Sequence, residues 1–323
     1  MSSILSACKR SIAPALHQLS FLSGLSRYAT RRNSAARVLM YHGVGGPDCP
    51  ADLFESQIKY LKSNFSVISL RDAVDLSRHA TRRFKTEVIL TFDDGLRNNF
   101  TIVYPILCRY GLPATFFVCP ELVETGKWQW AYEIEQRLVS SDLGRLEQIC
   151  SALEIERQES VNRKTDIVDR IIEHMKTLET AHREKAEETI RSMTRNFGAS
   201  AQQHGWYDTM SWDEMRSLSP ELITIGSHTV NHPILTKLLP DEIKFQIVES
   251  KQWIQRALQR SIDYFCYPNG DYDASSLDIV SRNYVAAVTT RSGYFENGDD
   301  VYQINRIPAA ETLPLFAWRM FRP

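Results

Sequence analysis

Eight short apolar runs, rich in β-branched and aromatic residues, restrict the fold of this chain more than any other feature. Most are continuously apolar and do not alternate with polar residues, which is typical of strands buried on both faces of a parallel sheet. Amphipathic helical segments separate several of them, most clearly 54–62 and 241–258. The predicted strands are 37–44, 65–70, 87–92, 114–119, 222–228, 263–268, 285–290 and 302–308.

The alternation of strands and helices predicts parallel β-α units. Seven or eight such units fit into 323 residues, so we predict an α/β fold whose strands close into a (β/α) barrel. The stretch from about 130 to 196 departs from this rhythm, because it is charged, poor in glycine and helix-periodic. We therefore predict a basic N-terminal extension over 1–36, and a domain over 37–323 that carries an inserted helical segment at about 130–196.

The N-terminal extension has a one-sided charge balance, since no acidic residue occurs up to Gly46. Its composition is typical of a transit peptide or of a basic helix on a membrane surface, and an extension without a specific role is equally compatible. A secretory signal peptide is not expected, because no compact apolar region precedes a small-residue cleavage site. The basic residues are Lys9, Arg10, Arg27, Arg31, Arg32 and Arg37.

Composition excludes several classes of function. A net charge of -1 argues against a nucleic-acid-binding protein. No apolar run reaches the roughly 18 residues that a membrane-spanning helix needs. The six cysteines are widely spaced and form no C-x-x-C pair, so neither a disulfide framework nor a zinc ribbon is predicted. The sequence gives no indication of the oligomeric state.

The motif TFDDG places two adjacent carboxylates, Asp93 and Asp94, directly after the apolar strand 87–92. Parallel β-α folds bind ligands at the carboxyl ends of their strands, which is where these side chains should lie. Two neighbouring carboxylates at such a position indicate a bound cation, a proton-transfer role, or both. An ordinary turn or helix cap would give the same local pattern.

A second strand, 222–228, runs into SHTVNHP and supplies two imidazoles, His228 and His232. Because proline follows His232, the α conformation is disfavoured there, and the pair is expected around a strand end and not along a helix. Two imidazoles and one carboxylate form a three-ligand site for a divalent transition metal, with positions open to water and substrate. The alternative is one core histidine and one capping histidine.

TFDDG followed by SHTVNH resembles the motifs of the NodB-homology polysaccharide deacetylases, a carbohydrate esterase family that removes N-acetyl groups from amino sugars. The resemblance covers roughly 37–309 and implies a deformed (β/α) barrel. It also implies that Asp93 is the catalytic base, and that Asp94, His228 and His232 bind the metal. The implied cofactor is a divalent cation, Zn²⁺ first, with Co²⁺ or Ni²⁺ as alternatives. Such a cation polarises the acetyl carbonyl and activates water for attack.

The family's third motif corresponds to FCYPNG at 265–270. The resemblance makes the backbone N–H of Asn269 the oxyanion donor. Tyr267 and Tyr272 are candidates for lining the cleft. The family's commoner form, Arg-Pro-Pro-Tyr, includes an arginine that steadies the catalytic aspartate and is absent here. Arg306, just beyond the last strand run, is a candidate substitute, although an arginine after a strand is more often part of a surface ion pair.

The general acid requires a different source, because no histidine follows His232. Many family members carry this acid in a C-terminal Leu-x-His motif. His42, in LMYHGV, ends the first strand and resembles the histidine of the branch that contains poly-N-acetylglucosamine deacetylases. We therefore predict that His42 is the general acid. The alternative is that His42 only packs against the rim.

These observations predict a metal-dependent deacetylase acting on an N-acetylated oligo- or polysaccharide of chitooligosaccharide or exopolysaccharide type. Alternatives are another C–N hydrolase on the same scaffold, such as a sugar deformylase or an allantoinase-like amidase, and a non-catalytic carbohydrate-binding protein. The second carboxylate, Asp93, argues against a binding protein. Without a recognisable secretory signal, a cytoplasmic or inner-membrane-surface location is expected.

Overall fold

The computed structural model describes residues 13–31, 34–79, 83–156 and 163–322. The predicted N-terminal extension therefore lies partly outside the described residues. Within them, the strands are β1 Arg37–Tyr41, β2 Ser66–Val67, β3 Glu87–Phe92, β4 Ala114–Val118, β5 Ile223–Ser227, β6 Tyr264–Cys266, β7 Ala286–Ser292 and β8 Ile304–Pro308.

Seven parallel strands close into a barrel, in the order β1-β3-β4-β5-β6-β7-β8 and back to β1. The pairing of β1 with β3 extends over five residue pairs, from Arg37 with Val88 to Tyr41 with Phe92. The short β2 adds to the amino-terminal end of β3, whereas β4 pairs at the carboxyl-terminal end of β3. The predicted α/β barrel is confirmed.

Helices surround this barrel, and two of them precede it. The helices are α1 13–22, α2 Leu25–Arg31, α3 Ala51–Asn64, α4 Leu70–Ser77, α5 Tyr104–Tyr110, α6 Pro120–Thr125, α7 Trp130–Ser140, α8 Leu143–Ala152, α9 Lys164–Thr177, α10 Thr180–Met193, α11 Ala201–Tyr207, α12 Trp212–Ser217, α13 Pro240–Leu258, α14 Ala274–Asn283 and α15 Leu313–Arg319. A π-helical turn, Asn99–Val103, leads into α5, and 3₁₀ turns occupy Leu235–Lys237 and Pro268–Gly270. No helix among the described residues is both long and apolar enough to cross a membrane.

The stretch predicted as a helical insertion contains α7 to α10, which pack around their own apolar cluster. Ile134 and Leu138 of α7 meet Ile171 of α9 and Ile190 of α10 there, and all four are fully buried. Trp130 joins the same cluster, with the Arg183 guanidinium 5.0 Å from its ring centroid. Burial of these apolar side chains is the main force that holds the four helices together.

Candidate active site

The carboxyl ends of the barrel strands surround a cavity of about 300 Å³. This cavity collects residues that are far apart in the chain, because they follow four different strands, β1, β3, β5 and β6, of one closed parallel sheet. Of the residues that the sequence singled out, those lining it are His42, Asp93, Asp94, His228, His232, Tyr267 and Asn269. Arg306 is fully buried and reaches the cavity only through Asp93.

A tight turn presents the two carboxylates. Asp94 has φ 68°, in the left-handed region that aspartate tolerates better than most residues, and Gly95 follows with φ 63°. A Cβ on Gly95 would lie 2.8 Å from Cγ1 of Val118, so glycine is required for space as well as for conformation. The turn therefore directs Asp93 and Asp94 into the cavity from adjacent positions of the chain.

Asp94 lies beside both imidazoles. Its Oδ1 atom is 3.6 Å from Nε2 of His228 and 3.3 Å from Nε2 of His232. Its other oxygen, Oδ2, accepts a hydrogen bond of 2.6 Å from the Tyr132 hydroxyl, whereas Oδ1 is buried without a hydrogen-bond partner. A buried carboxylate oxygen in that state is costly unless a cation or proton joins it. One carboxylate and two imidazoles fit a divalent metal ion, so this group could hold one.

The two imidazoles differ in their tautomers. The backbone carbonyl of Cys266 can only accept, so Nδ1–H of His228 donates to it over 2.7 Å and leaves the Nε2 lone pair facing Asp94. The Gln129 side chain favours the other tautomer in His232. Its Oε1 accepts the N–H groups of Ala131 and Tyr132, so its NH₂ group donates to Nδ1 of His232 over 2.9 Å. His232 therefore carries its proton on Nε2, and a metal bound there would require this proton to leave or the Gln129 amide to turn so that Nδ1 can carry it.

Asp93 forms a bidentate ion pair with Arg306. Nη1 and Nη2 of the guanidinium donate to its two oxygens over 2.8 and 2.7 Å. Further bonds hold the arginine in place: Nε donates to the Thr289 carbonyl over 2.6 Å, and Nη1 to Oγ1 of Thr91 over 3.0 Å. The predicted contact of Arg306 with the aspartate is thus present. The predicted position just beyond the last strand is wrong, because Arg306 lies within β8 and its pair with Asp93 is buried.

Electrostatics keep the site in defined charge states. Burial by itself would raise the pKa of Asp93, but the Arg306 guanidinium outweighs burial and holds that pKa well below its usual range. Burial also lowers the pKa of His232 to about 4, although the neighbouring Asp94 carboxylate opposes the shift. At neutral pH Asp93 is therefore a carboxylate and His232 is a neutral imidazole, the form in which histidine binds metals.

A second group of potential ligands, Asp93, His228 and Cys266, shares one histidine with the first. Both oxygens of Asp93 already accept from Arg306, and Sγ of Cys266 lies 3.2 Å from Nη2 of the same arginine. Burial raises the pKa of the Cys266 thiol well above its ordinary value, so it stays protonated and is a poor ligand. The group around Asp94 is the better cation site.

His42 follows β1, the strand next to β3, so its Nε2 atom lies 4.0 Å from Oδ2 of Asp93 while its side chain is 47% exposed. The loop that carries it is fixed by Asn98, whose Oδ1 accepts the Val44 N–H over 3.0 Å. The exposed imidazole lines the cavity beside Asp93 and can reach a bound substrate. Its role as general acid stays a prediction.

The third motif forms a 3₁₀ turn along the cavity. Asn269 has φ 57° and its carbonyl accepts from Oγ1 of Thr290 over 2.9 Å, while Gly270, with φ 77°, leaves no space for a Cβ next to Thr290. The Tyr267 side chain is fully buried and its hydroxyl has no hydrogen-bond partner. Tyr267 thus forms part of the cavity wall, as the sequence predicted.

Three of the cavity residues that the sequence did not single out belong to the helical insertion or the loop before it. Gln129 contacts His232 and Tyr132 contacts Asp94, two of the candidate metal ligands. Lys176 of α9 also lines the cavity and pairs with Glu173 over 2.7 Å. A polar residue just before a helix, such as Gln129, indicates a cap, but nothing in the sequence indicates that α7 leans over the barrel. The insertion is therefore part of the site wall.

Comparison with known proteins agrees with this architecture. The sequence profile of the polysaccharide deacetylase family matches residues 81–288. The Bacillus subtilis protein YxkH, which carries a provisional polysaccharide deacetylase name, is 21% identical over 283 residues, covering 86% of this chain and 72% of its own.

Two solved structures share the fold. The Streptococcus pyogenes deacetylase PplD, solved with acetate, superposes with a TM-score of 0.60 at 20% identity, covering 90% of this chain and 99% of its own. IcaB from Ammonifex degensii gives 0.58 at 16% identity, covering 89% and 98%. The family profile spans both carboxylates and both imidazoles of the site. This chain therefore belongs to the polysaccharide deacetylase family of hydrolases.

Proposed function

We propose that this protein is a metal-dependent N-deacetylase that removes acetyl groups from amino-sugar residues of an oligo- or polysaccharide, of chitooligosaccharide or exopolysaccharide type. The observation that carries this proposal is the unpartnered Oδ1 atom of Asp94, buried between two imidazoles and one residue away from Asp93. A binding site for the cation needs only the Asp94 carboxylate. The adjacent Asp93 carboxylate is not needed for binding and supports catalysis.

The cation would be held by Asp94, His228 and His232, and Zn²⁺ suits this donor set best, with Co²⁺ and Ni²⁺ as alternatives. When bound, it supplies Lewis acidity towards the acetyl carbonyl and towards water. Asp93 accepts the proton of the attacking water, and its charge is secured by Arg306. His42 then donates a proton to the departing amine.

Binding of the substrate would use the other polar groups of the cavity. The N–H of Asn269 would donate to the developing oxyanion, and the Tyr267 side chain would form part of the wall against which the substrate binds. A larger groove, about 740 Å³, continues from the cavity past His42 and Tyr132 towards Trp206. Sugar rings stack on aromatic faces, so this groove supports a substrate longer than one sugar.

The test is acetate release from a panel of N-acetylated oligosaccharides, measured with and without a chelator and after restoring Zn²⁺, Co²⁺ or Ni²⁺. We expect release that the chelator abolishes and a divalent cation restores. Formate release from N-formyl sugars, or hydrolysis of ureides such as allantoin, without acetate release would favour the other C–N hydrolases. Sugar binding with no hydrolysis of any substrate would favour the carbohydrate-binding alternative.

Replacing His42 by alanine should reduce kcat by about 10²- to 10⁴-fold, because the leaving amine loses its proton donor. The side chain is half exposed, so folding should be unaffected, and His182, an exposed histidine of α10, provides the control substitution. Steady-state kinetics on the best oligosaccharide measures the effect. A wild-type rate in His42→Ala would assign the acid role to another group.

Replacing Gln129 by glutamate should tighten Zn²⁺ binding by about 10-fold, the lower end of what outer-shell partners contribute. One carboxylate oxygen can still cap α7. The other accepts a hydrogen bond from Nδ1–H of His232, which favours the tautomer whose Nε2 lone pair is free for the metal. Competition with a chromophoric chelator measures the dissociation constant. Gln136→Glu, on the same helix, is the control for added charge, and equal affinities in Gln129→Glu and wild type would contradict the tautomer assignment.

A further inference from the structure

The two helices that precede the barrel expose a row of large apolar side chains. Leu16, Leu19 and Leu22 of α1 are 50, 64 and 70% exposed, and Leu25 and Tyr28 of α2 are 55 and 57% exposed. Side chains this apolar are usually distributed singly over a soluble surface, whereas these five follow one another within 13 residues of chain. We call these five residues the leucine face.

The leucine face is not what attaches these helices to the barrel domain. The opposite side of α1 does so: the His17 ring lies 4.9 Å from that of Trp318 beyond the barrel, and the Phe21 ring lies 6.0 Å from that of Tyr60 on α3. The hydroxyls of Ser20 and Ser26 join α1 to α2 over 2.7 Å. Folding therefore leaves the leucine face on the outside, and removing its leucines should cost little stability.

The charge around the leucine face has a single sign in the sequence. No acidic residue occurs before Asp48, whereas five basic residues precede Arg37, which is itself fully buried. At the domain end, Arg322 is exposed and its guanidinium lies 5.9 Å from the Trp318 ring that contacts α1. Apolar side chains flanked by cations match the acyl boundary and the anionic head groups of a phospholipid bilayer.

The leucine face also lies at the end of the barrel away from the cavity. Arg37, the first residue of β1, donates to the carbonyl of Met320, which directly follows α15, and α15 contacts α2. The catalytic groups follow the last residues of the strands, at the other end. A surface bound to the leucine face would therefore leave the cavity open.

We propose that α1 and α2 form a docking surface for an anionic phospholipid bilayer. The leucine face enters the acyl boundary, and flanking cations such as the exposed Arg322 contact the head groups. Because anionic lipids are concentrated in the cytoplasmic leaflet, this docking surface fits a peripheral location at the inner face of the membrane. The proposal concerns where the enzyme works and is independent of the reaction it catalyses.

Co-sedimentation of the full chain with vesicles tests this proposal. Wild type should bind vesicles of phosphatidylcholine with phosphatidylglycerol. The variant Leu16→Ser/Leu19→Ser/Leu22→Ser should bind at least about 100-fold more weakly, because each leucine that enters the bilayer strengthens binding by roughly tenfold. The matched control is Leu143→Ser/Leu239→Ser/Phe245→Ser, which removes three exposed apolar side chains elsewhere and should bind as wild type does.

Three outcomes would overturn the proposal. Equal binding by wild type and the α1 variant would exclude the leucine face, and equal binding to vesicles without phosphatidylglycerol would exclude anionic head groups. A wild-type oligomer that becomes monomeric in the α1 variant, with no vesicle binding by either, would assign the face to self-association. Acetate release from a soluble oligosaccharide should be the same in all three proteins, so a failure here is distinguishable from a failure of the proposed function.

Discussion

The Asp93→Asn variant should lose deacetylation, with kcat reduced by about 10²- to 10⁴-fold, while binding the same amount of metal as wild type. Asparagine keeps the shape of the side chain but cannot take a proton from water. The candidate metal ligand is the neighbouring Asp94, whose Oδ1 atom faces His228 and His232. Asp93 is paired with Arg306 instead. Activity and metal content are therefore expected to separate in this variant.

A complication is that Asp93→Asn leaves the fully buried Arg306 without its counter-charge. Loss of activity could then reflect unfolding, and a second variant distinguishes the two causes. Asp93→Asn/Arg306→Gln replaces the ion pair by two neutral amides, so it should recover stability without recovering turnover. Stopped acetate assays, metal analysis and thermal melting of both variants provide the measurements. Wild-type turnover in either variant would refute the role of Asp93 as the base.

The barrel was predictable because its strands are buried on both faces and so read as continuous apolar runs. The predicted run 87–92 coincides with β3 Glu87–Phe92, whereas the run 65–70 shrinks to β2 Ser66–Val67. The hydroxyl of Ser69 accepts the Asp72 N–H and begins α4 there, so a helix cap overrides an apolar pattern. Apolar periodicity alone cannot distinguish these two cases.

The site was predictable where its groups come from strand ends, because closure of the barrel brings those ends together. His42, Asp93 and His228 illustrate this, since each follows a different strand directly. Gln129 and Tyr132 were not predictable, because their approach to the site depends on how the helical insertion packs, and packing of one helical layer on another leaves no local pattern. Arg306 was located by its strand, but its burial became evident only from the structure.

The Arg306→Gln variant should lose about 3 to 5 kcal/mol of unfolding free energy at neutral pH, because it leaves the Asp93 carboxylate buried without its cation. Both side chains of the pair are almost completely inaccessible, at 0 and 2% exposure, so solvent screens them little. The exposed pair of Arg282 with Asp278 on α14 is the matched control, and Arg282→Gln should leave the urea midpoint unchanged.

The size of that loss should depend on pH in a definite direction. In wild type the pKa of Asp93 is below its value in the unfolded chain, about 3.9, so the pair stabilises the fold above that pH and less as the pH falls through the folded pKa. In Arg306→Gln burial instead raises the pKa of Asp93, so the folded variant takes up a proton as the pH falls and the uncompensated charge disappears.

Urea unfolding curves of the two proteins should therefore be far apart at pH 7 and approach each other towards pH 4. A difference that stays constant over this range would mean that Arg306 stabilises the barrel through its bonds to Thr289 and Thr91, and not through the charge of Asp93.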